Sequence, residues 1–336
     1  PLTQRRLQGD RHRLGLVSAY LSWHTIGLLF LGWAAGLDRD RFEVVGYSLA
    51  GSWDDQTEAW QAACDDFQVL PGDLAAAADH LAADRLDLII YLDLGMAPVA
   101  SLLASLYLAP VQVAAWGHPV TTGSPTISAY LSPAIVESVD WADSWADQPA
   151  HNRSNEGDSK PTAEAEYPAE ADYTEKLIQL SGVGLWLEPP AVPELTIDRS
   201  VWGLEPGAIV YLTTQALFKY LPSQDALFAA LLERVPQAQL VVLGHENAHQ
   251  TARFADRLGA AIEAVVGSRD RLLVLPHLSK GDYWQLHHLA DVALDAIAFS
   301  GFLTTLEAIA VGLPVVTYRG PFARSRQSAG LLAALD

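Results

Sequence analysis

Cysteine is the scarcest residue type of consequence in this chain: Cys64 is the single one among 336 residues. A single cysteine cannot form an intrachain disulfide or a cysteine cluster for zinc, so the chain is not stabilised by either. The composition therefore predicts a reducing, cytoplasmic setting.

Basic residues are also scarce, with 21 Lys and Arg against 40 Asp and Glu and a net charge of −19. Proteins that bind nucleic acid or anionic membrane surfaces normally carry a basic footprint. We therefore expect neither nucleic acid nor a membrane as a partner. An anionic ligand would need a local basic group within this acidic chain.

Long apolar runs and the common phosphate-binding motifs are missing too. The longest run, Ile26 to Leu37, is too short to span a bilayer and contains three glycines, and residues 1–10 lack the apolar core of a secretory signal. The chain has no Walker loop and no GxGxxG after its first strand, which excludes kinases and the common dehydrogenases. Asp38-Arg39-Asp40 formally matches a metal-binding Asp-x-Asp pair but precedes a strand in a polar turn, so we expect no metal and no other cofactor.

What the chain does contain is a regular alternation of short apolar runs with helical patterns. The predicted strands are 13–18, 42–49, 86–92, 111–116, 209–213, 239–243, 272–275, 292–294 and 314–317. The predicted helices between them are 25–37, 54–64, 73–84, 224–235, 248–266, 280–289 and 304–311. Apolar strands that alternate with helices indicate parallel sheets covered on both faces.

A proline-rich link, residues 188–194, separates two such series. We therefore predict an α/β protein with two Rossmann-like, doubly wound domains, 11–190 and 196–336, whose strand ends face a shared cleft. The chain begins without Met and stops within an apparent helix, so we expect a fragment whose second domain is incomplete. Residues 137–175 hold eleven acids against two bases, which predicts an exposed, partly disordered insertion in the first domain.

The segment 300–317 combines a glycine turn, a helix that opens on Thr304 and Thr305, and Glu307 in its first turn. A helix N-terminus with free N–H groups and hydroxyls suits an anion, and a nearby carboxylate suits sugar hydroxyls. This pattern predicts a nucleotide-sugar site, with diphosphate on the helix and ribose on Glu307. A plain α/β unit with a capping threonine explains the segment equally well.

Two residues that follow the first strand of each domain are candidates for catalysis. His24 opens the helix after the first strand, where an imidazole suits proton transfer or a hydrogen bond to phosphate. The alternative is a helix-start histidine bonded to backbone. Lys219 stands alone among apolar residues where a diphosphate would lie, and the alternative is a surface lysine with a buried stem.

Further candidates for substrate binding follow other strands. His118, Thr121 and Thr122 lie in a tight loop after the strand at 111–116, which suits a sugar or phosphate but equally a turn that is only structural. Lys280 and Tyr283 open a helix, and the aromatic ring suits a nucleobase, although such rings usually belong to the core.

Arg326, with Arg324, follows Gly320-Pro321-Phe322 near the end of the chain. Its guanidinium either faces the cleft or caps the terminal helix.

The order of these motifs resembles the catalytic region of the protein O-GlcNAc transferase and Spindly-type glycosyltransferases, bacterial relatives included. The stretches that carry the resemblance are 13–24, 41–49, 110–123, 215–219, 288–295 and 301–326. The Gly-His-Pro loop at 117–119 is also similar to bacterial protein N-glucosyltransferases.

The resemblance implies a metal-independent, inverting GT-B enzyme that transfers a sugar, GlcNAc first among the candidates, from a UDP-sugar to Ser or Thr of a protein or peptide. It implies that His24 lies near sugar and acceptor, Lys219 and Thr304 at the diphosphate, and Glu307 at the ribose. Lys280 and Tyr283 match positions near the base. It also implies tetratricopeptide repeats upstream and further closing helices downstream.

The chain departs from the family pattern at three places. The histidine of the phosphate turn is replaced, Gln215 lies one place before the family glutamine, and a second family histidine falls near Ala82. Two other functions therefore stay open. One is a GT-B transferase with a glucose or fucose donor, or with a small-molecule or glycan acceptor. The other is an inactive interaction scaffold.

Overall fold

The computed structural model describes residues 11–51, 53–137, 172–188 and 190–335. The chain divides into two compact units, with the boundary between Glu188 and Pro189. Most of the predicted acidic insertion, residues 138–171, lies outside the described residues.

Unit 1 is a parallel sheet whose strands have the order β3-β2-β1-β4-β5-β6-β7. Its elements are β1 (His12–Ser18), α1 (Thr25–Gly36), β2 (Phe42–Ser48), α2 (Asp55–Ala63), β3 (Asp66–Val69), α3 (Leu74–Ala83), β4 (Leu88–Tyr91), α4 (Pro98–Ala104), β5 (Val111–Ala115), β6 (Ala129–Pro133), α5 (Ala134–Glu137) and β7 (Lys176–Leu180). The central strands β1 and β2 are each buried over their last five residues, as expected for a sheet covered on both faces.

Unit 2 is a smaller parallel sheet with the strand order β10-β9-β8-β11-β12. Its elements are β8 (Ile209–Thr213), α6 (Asp225–Arg234), β9 (Ala238–Leu243), α7 (Ala248–Val266), β10 (Leu272–Leu275), α8 (Lys280–Leu289), β11 (Val292–Leu294), α9 (Leu303–Ala310), β12 (Val315–Val316) and α10 (Gln327–Ala333).

The core of unit 2 lies on both faces of its sheet. Leu240 and Val242 of β9 pack in one apolar cluster, whereas Val241 and Leu243 pack in another. Successive residues of a strand point to opposite faces, so helices cover the sheet on each side. The prediction of two parallel α/β sheets is therefore confirmed.

Three strands, β3, β6 and β7, were missed in the sequence, because each is short or contains polar residues. β3 has the sequence Asp-Phe-Gln-Val, β6 ends on Ser-Pro, and β7 begins directly after the acidic stretch. The prediction that the insertion spans all of 137–175 was wrong at both ends. Glu137 is buried and accepts hydrogen bonds from Ser132 and, at 2.7 Å, from the Tyr173 hydroxyl.

Within the described ranges, no helix combines the length and the apolar character that crossing a bilayer requires.

Candidate functional site

Each sheet has one point at which the strand order reverses, and ligands of doubly wound sheets bind outside the carboxyl ends of the strands there. In unit 2 this point lies between β8 and β11, which are followed by Gln215 and Asp295. In unit 1 it lies between β1 and β4, which are followed by the loop of His24 and by Asp93. The topology thus selects these two regions before any side chain is considered.

Asp295 organises the loop that leads from β11 to α9. Its Oδ1 accepts hydrogen bonds from the N–H groups of Ala296 and Gly301, both at 2.8 Å, and its Oδ2 accepts from the Thr317 hydroxyl at 2.8 Å. A carboxylate bonded in this way fixes the turn in front of α9. Sequence reasoning missed Asp295, although an aspartate directly after an apolar strand is the signal that would have found it.

Lys219 belongs to the same network as the start of α9. Its Nζ donates to Gln215 Oε1 at 2.9 Å and lies 3.5 Å from the carbonyl oxygen of Ser300. Gln215 Nε2 in turn donates to Thr304 Oγ1 at 2.6 Å. The ammonium and the first turn of α9 are therefore linked through a single buried side chain.

The environment of Lys219 is poorly solvated. Burial lowers the pKa of its ammonium to about 8, and the negative charge of Asp295 partly offsets that effect. The Nζ atom also lies 4.5 Å from the centre of the Phe299 ring. A largely desolvated ammonium beside the start of a helix is well suited to a diphosphate, which would replace the lost hydration.

Gly301 makes this turn possible. A Cβ atom at this position would lie 2.1 Å from both Gln215 Nε2 and Thr304 Oγ1. A side chain would therefore break the hydrogen bond that connects β8 to α9. The glycine is required by close approach and not by an unusual backbone angle.

The two threonines of the predicted phosphate turn have different environments. Thr304 accepts from Gln215, as described above. Thr305 is buried at 3% exposure, and its hydroxyl lies 2.7 Å from that of Ser328 in α10. Thr305 therefore links α9 to α10 inside unit 2. Because its side chain is buried, any effect on ligand binding would be indirect, through the position of Thr304 and of the helix backbone.

Glu307 lies in the second turn of α9, because the helix begins at Leu303; the prediction of a first-turn position was wrong. Its carboxylate is 5% exposed and accepts hydrogen bonds from the Lys280 ammonium and, at 2.7 Å, from the Tyr283 hydroxyl. Burial and the neighbouring carboxylate raise the pKa of Tyr283 far above its usual value. The three predicted residues do come together, on α8 and α9.

Tyr283 also lines a cavity of about 440 Å³ outside the ends of β8 and β9. Other residues around this cavity are Thr214, Gln215, Leu243, His245 and His277. Its size falls in the range of small-molecule pockets. The ring centre of Tyr283 lies 4.2 Å from that of His287, so this ring also belongs to the packing of α8, and its stacking on a base stays a prediction.

Arg326 is buried, with 1% of its surface exposed, and stands at the N-cap position of α10. The guanidinium is enclosed at the start of α10, but no side-chain hydrogen bond among the described residues caps this helix, so the structure does not support the alternative of a helix cap. Its role as a group that meets substrate stays untested.

His24 caps α1 in unit 1. Its Nδ1 accepts a hydrogen bond from the Ile26 N–H at 3.1 Å, and its ring stacks on Tyr20 with centres 4.2 Å apart. Burial lowers its pKa, so the imidazole is neutral at pH 7. Because Nδ1 uses its lone pair on the backbone, the proton of the neutral ring is on Nε2.

The loop that carries His118 is hydrogen-bonded to Glu175, the last residue of the acidic stretch 137–175. Glu175 accepts hydrogen bonds from the hydroxyls of Thr121, at 2.7 Å, and Thr122, and from the Thr122 N–H at 2.8 Å. The His118 carbonyl accepts from the Tyr130 hydroxyl at 2.7 Å. These contacts agree with the structural reading of the loop, and its role in binding stays a prediction.

Comparison with protein families identifies the region that contains the network around Lys219. Residues 188–336 match the family model described as glycosyl transferase family 41. The matched region includes Gln215, Lys219, Asp295 and Glu307, whereas His24 precedes it.

Curated relatives extend the similarity into unit 1. The chain is 27% identical over 213 residues to the probable UDP-N-acetylglucosamine–peptide N-acetylglucosaminyltransferase SPINDLY of Solanum lycopersicum, covering 63% of this chain and 19% of that protein. It is 25% identical over 312 residues to the probable transferase of the same description, SEC, of Arabidopsis thaliana, covering 91% of this chain and 29% of that protein. The chain thus spans less than a third of the length of either relative.

Solved structures agree on the fold. A mutant of Thermobaculum terrenum O-GlcNAc transferase superposes with a TM-score of 0.76 at 24% identity, over 97% of this chain and 56% of that one. Sucrose-phosphate synthase from Thermosynechococcus elongatus gives a TM-score of 0.52 at 12% identity, over 91% of this chain and 80% of that one. The predicted GT-B fold of two Rossmann-like domains is confirmed.

Proposed function

We propose that this chain is the catalytic region of a family 41 glycosyltransferase that moves GlcNAc from UDP-GlcNAc to Ser or Thr of a protein. The names of the SPINDLY and SEC relatives support this donor and a peptide acceptor, and the choice of Ser or Thr follows the family resemblance. The network around Lys219 supports the chemistry, and it is the single observation that carries the proposal.

In the proposed reaction the acceptor oxygen bonds to the anomeric carbon as the bond from that carbon to the β-phosphate oxygen breaks. One displacement inverts the anomeric centre, the proton of the Ser or Thr hydroxyl passes to solvent water, and UDP leaves with an additional negative charge. In the proposal that charge develops beside Lys219 and the N–H groups at the start of α9, and the bonds through Gln215 that fix Lys219 and Thr304 support it. Prearranged donors of this kind stabilise a transition state without reorganisation at the moment of reaction.

In this proposal His24 acts as a hydrogen-bond donor. Its lone pair at Nδ1 is engaged by the Ile26 N–H, so Nε2 offers a proton and accepts none. We therefore propose that His24 donates a hydrogen bond to the donor sugar or to the acceptor oxygen, and orients it. Of the two roles that the sequence left open, orientation fits the geometry better than proton abstraction.

The proposed reaction needs no metal ion. Lys219 and the helix tip supply positive potential in unit 2, while Asp38-Arg39-Asp40 lies in the turn before β2, at the amino end of the strands of unit 1. We also propose a cytoplasmic setting, on the sequence argument from Cys64.

Transfer of radiolabelled sugar from UDP-GlcNAc and UDP-glucose to protein acceptors, with and without EDTA, tests the proposal. We expect labelling from UDP-GlcNAc that resists EDTA and falls by about 100-fold or more in Lys219→Ala, the cost of one transition-state donor. Absence of labelling from either donor, or full labelling by Lys219→Ala, would contradict it.

A further inference from the structure

Among the described residues of unit 1, lysine and arginine lie at one edge of the sheet. Every Lys and Arg among its described residues lies at or just before the amino end of a strand: Arg11, Arg13, Arg39, Arg41, Arg85 and Lys176. Because the sheet is parallel, all these amino ends share one edge. The opposite edge, where His24 lies, thus receives no cationic side chain from these residues.

The carboxyl edge carries acids in place of cations. The described residues of loops 19–24, 49–54, 70–73 and 92–97 include Asp54, Asp73 and Asp93 but neither lysine nor arginine. Asp55 and Glu58, in the first turn of α2, are exposed at the same edge. Asp93 is fully buried, and its Oδ1 has no hydrogen-bond partner among the described residues.

Two exposed tryptophans accompany these acids. Trp23 is 59% exposed and Trp53 is 50% exposed. Their loops meet, because the Trp23 N–H donates to the Asp54 carboxylate at 2.7 Å. Trp53 is supported from one side by the edge of the Phe67 ring, with centres 5.8 Å apart. Large exposed rings next to the residue that caps α1 are not needed for the core.

We propose that this edge, formed by Trp23, Trp53, Asp55 and Glu58, docks a basic segment of the acceptor polypeptide, in which Lys or Arg side chains lie over the indole rings. The proposal rests on the proposed function, because it assigns a partner to the surface beside His24. It specifies the acceptor class: Ser or Thr flanked by lysine and arginine.

The physical reason is the pairing of two weak attractions. A cation over an indole face is stabilised by the ring quadrupole, and nearby carboxylates add Coulomb attraction that no lysine or arginine in the described part of this edge cancels. The same field disfavours an acidic segment. An anionic donor is likewise better placed on unit 2, where Lys219 lies.

Binding of two fluorescent peptides to the full chain tests the proposal directly, without any donor. Both peptides carry the same Ser-Thr core, flanked by Lys and Arg in one and by Asp and Glu in the other. We expect the basic peptide to bind about tenfold more tightly or better at low salt, and the preference to shrink at 0.5 M NaCl, about where screening becomes strong. Trp23→Ala and Trp53→Ala should each weaken binding about two- to fivefold.

Tyr107→Ala is the matched control, because Tyr107 is 66% exposed and precedes β5 at the opposite edge. It should leave peptide binding unchanged, and unchanged thermal midpoints should show that all three variants fold. Equal binding of the acidic peptide, or wild-type binding by both tryptophan variants, would overturn the docking surface. Tight binding of the basic peptide without any sugar transfer would overturn the proposed function and leave the surface standing.

Discussion

Lys219 is the residue on which the proposed donor site depends, and its low pKa makes that dependence measurable. In the proposal this lysine binds a diphosphate as an ammonium, and burial lowers its pKa to about 8. The positive charge is therefore present below that pH and is lost as the pH rises through it. A partner that needs the charge should lose affinity over the same range.

We predict that affinity for UDP falls above pH 8, approaching about tenfold per pH unit. Lys219→Arg should abolish this decline between pH 7 and 10, since a guanidinium stays protonated throughout. Titration calorimetry at several pH values measures both proteins. An equal decline in the arginine variant would show that another group is responsible.

The same burial predicts a gain in stability when the charge is removed. The folded pKa of Lys219 is depressed, so the desolvation penalty is present below pH 8 and vanishes as the pH rises toward the ordinary lysine value. At pH 7, Lys219→Met should raise the free energy of unfolding by about 1–3 kcal/mol while weakening UDP binding. Urea denaturation gives the stability.

Lys280→Met provides the contrast on the same surface. Lys280 bonds the buried carboxylate of Glu307, so its removal leaves that charge with the Tyr283 hydroxyl alone. It should lower the stability, because a buried charge that loses its partner is costly. If both lysine variants moved in the same direction, the distinction between a ligand-binding and a structural ammonium would fail.

At the scale of elements, His24 is positioned by α1, which it caps. Gly27 is the residue of α1 that packs against the loop 19–24. A Cβ atom at Gly27 would lie 2.1 Å from the Ser22 carbonyl oxygen, and the Gly27 carbonyl accepts bonds from Gln56 and Trp60 of α2. Gly27→Ala should therefore cost about 1–3 kcal/mol, as overpacking does, and should displace the loop.

Gly36→Ala is its control in the same helix, since a Cβ atom there has nothing within 4 Å. It should be neutral or stabilising, because alanine favours a helix over glycine. Thermal denaturation compares the two variants, and sugar transfer reports on the position of His24. A Gly27→Ala protein as stable as Gly36→Ala would mean that the loop adapts without cost.

The apolar strands were predictable because their pattern is local. β1, β2, β5, β8 and β9 are runs of buried aliphatic residues bounded by polar turns, and the sequence shows each within one or two residues of its place. The last strand of unit 1 was not predictable in this way, because Lys176–Leu180 pairs with Ala129–Pro133 across more than forty residues of chain. Pairing between segments so far apart produces no periodic pattern in the sequence.

Buried acids explain why the prediction of an exposed stretch over residues 137–175 was wrong at both ends. Glu137 and Glu175 looked like members of an acidic, solvated stretch, yet their carboxylates are satisfied by hydroxyls from Ser132, Tyr173, Thr121 and Thr122. A carboxylate is buried when donors from distant segments converge on it, and composition does not record that convergence. Asp295 was missed although its place directly after an apolar strand is a local signal, whereas Lys219 was found because it is a lone cation in an apolar setting.

At the scale of the molecule, the two units differ in the ligand that their charges suit. Unit 2 has two apolar clusters of its own and holds Lys219, the α9 tip and the cavity beside Tyr283. The carboxyl edge of unit 1 offers indole rings and acids among its described residues. Within a chain of net charge −19, the proposed anionic donor thus has its cationic partner on unit 2, and the proposed basic acceptor has its acidic partners on unit 1.

Hydrogen exchange with and without UDP tests that division. At about 100 times its dissociation constant a ligand adds about 2.7 kcal/mol against opening of the unit that binds it. We expect slower exchange in residues 214–219, 244–246 and 295–304, and unchanged exchange in 19–24 and 92–97. Lys219→Met should lose the protection under the same conditions. Protection by UDP in the loops of unit 1, with none around α9, would place the diphosphate on the acidic edge and would contradict the assignment of the donor to unit 2.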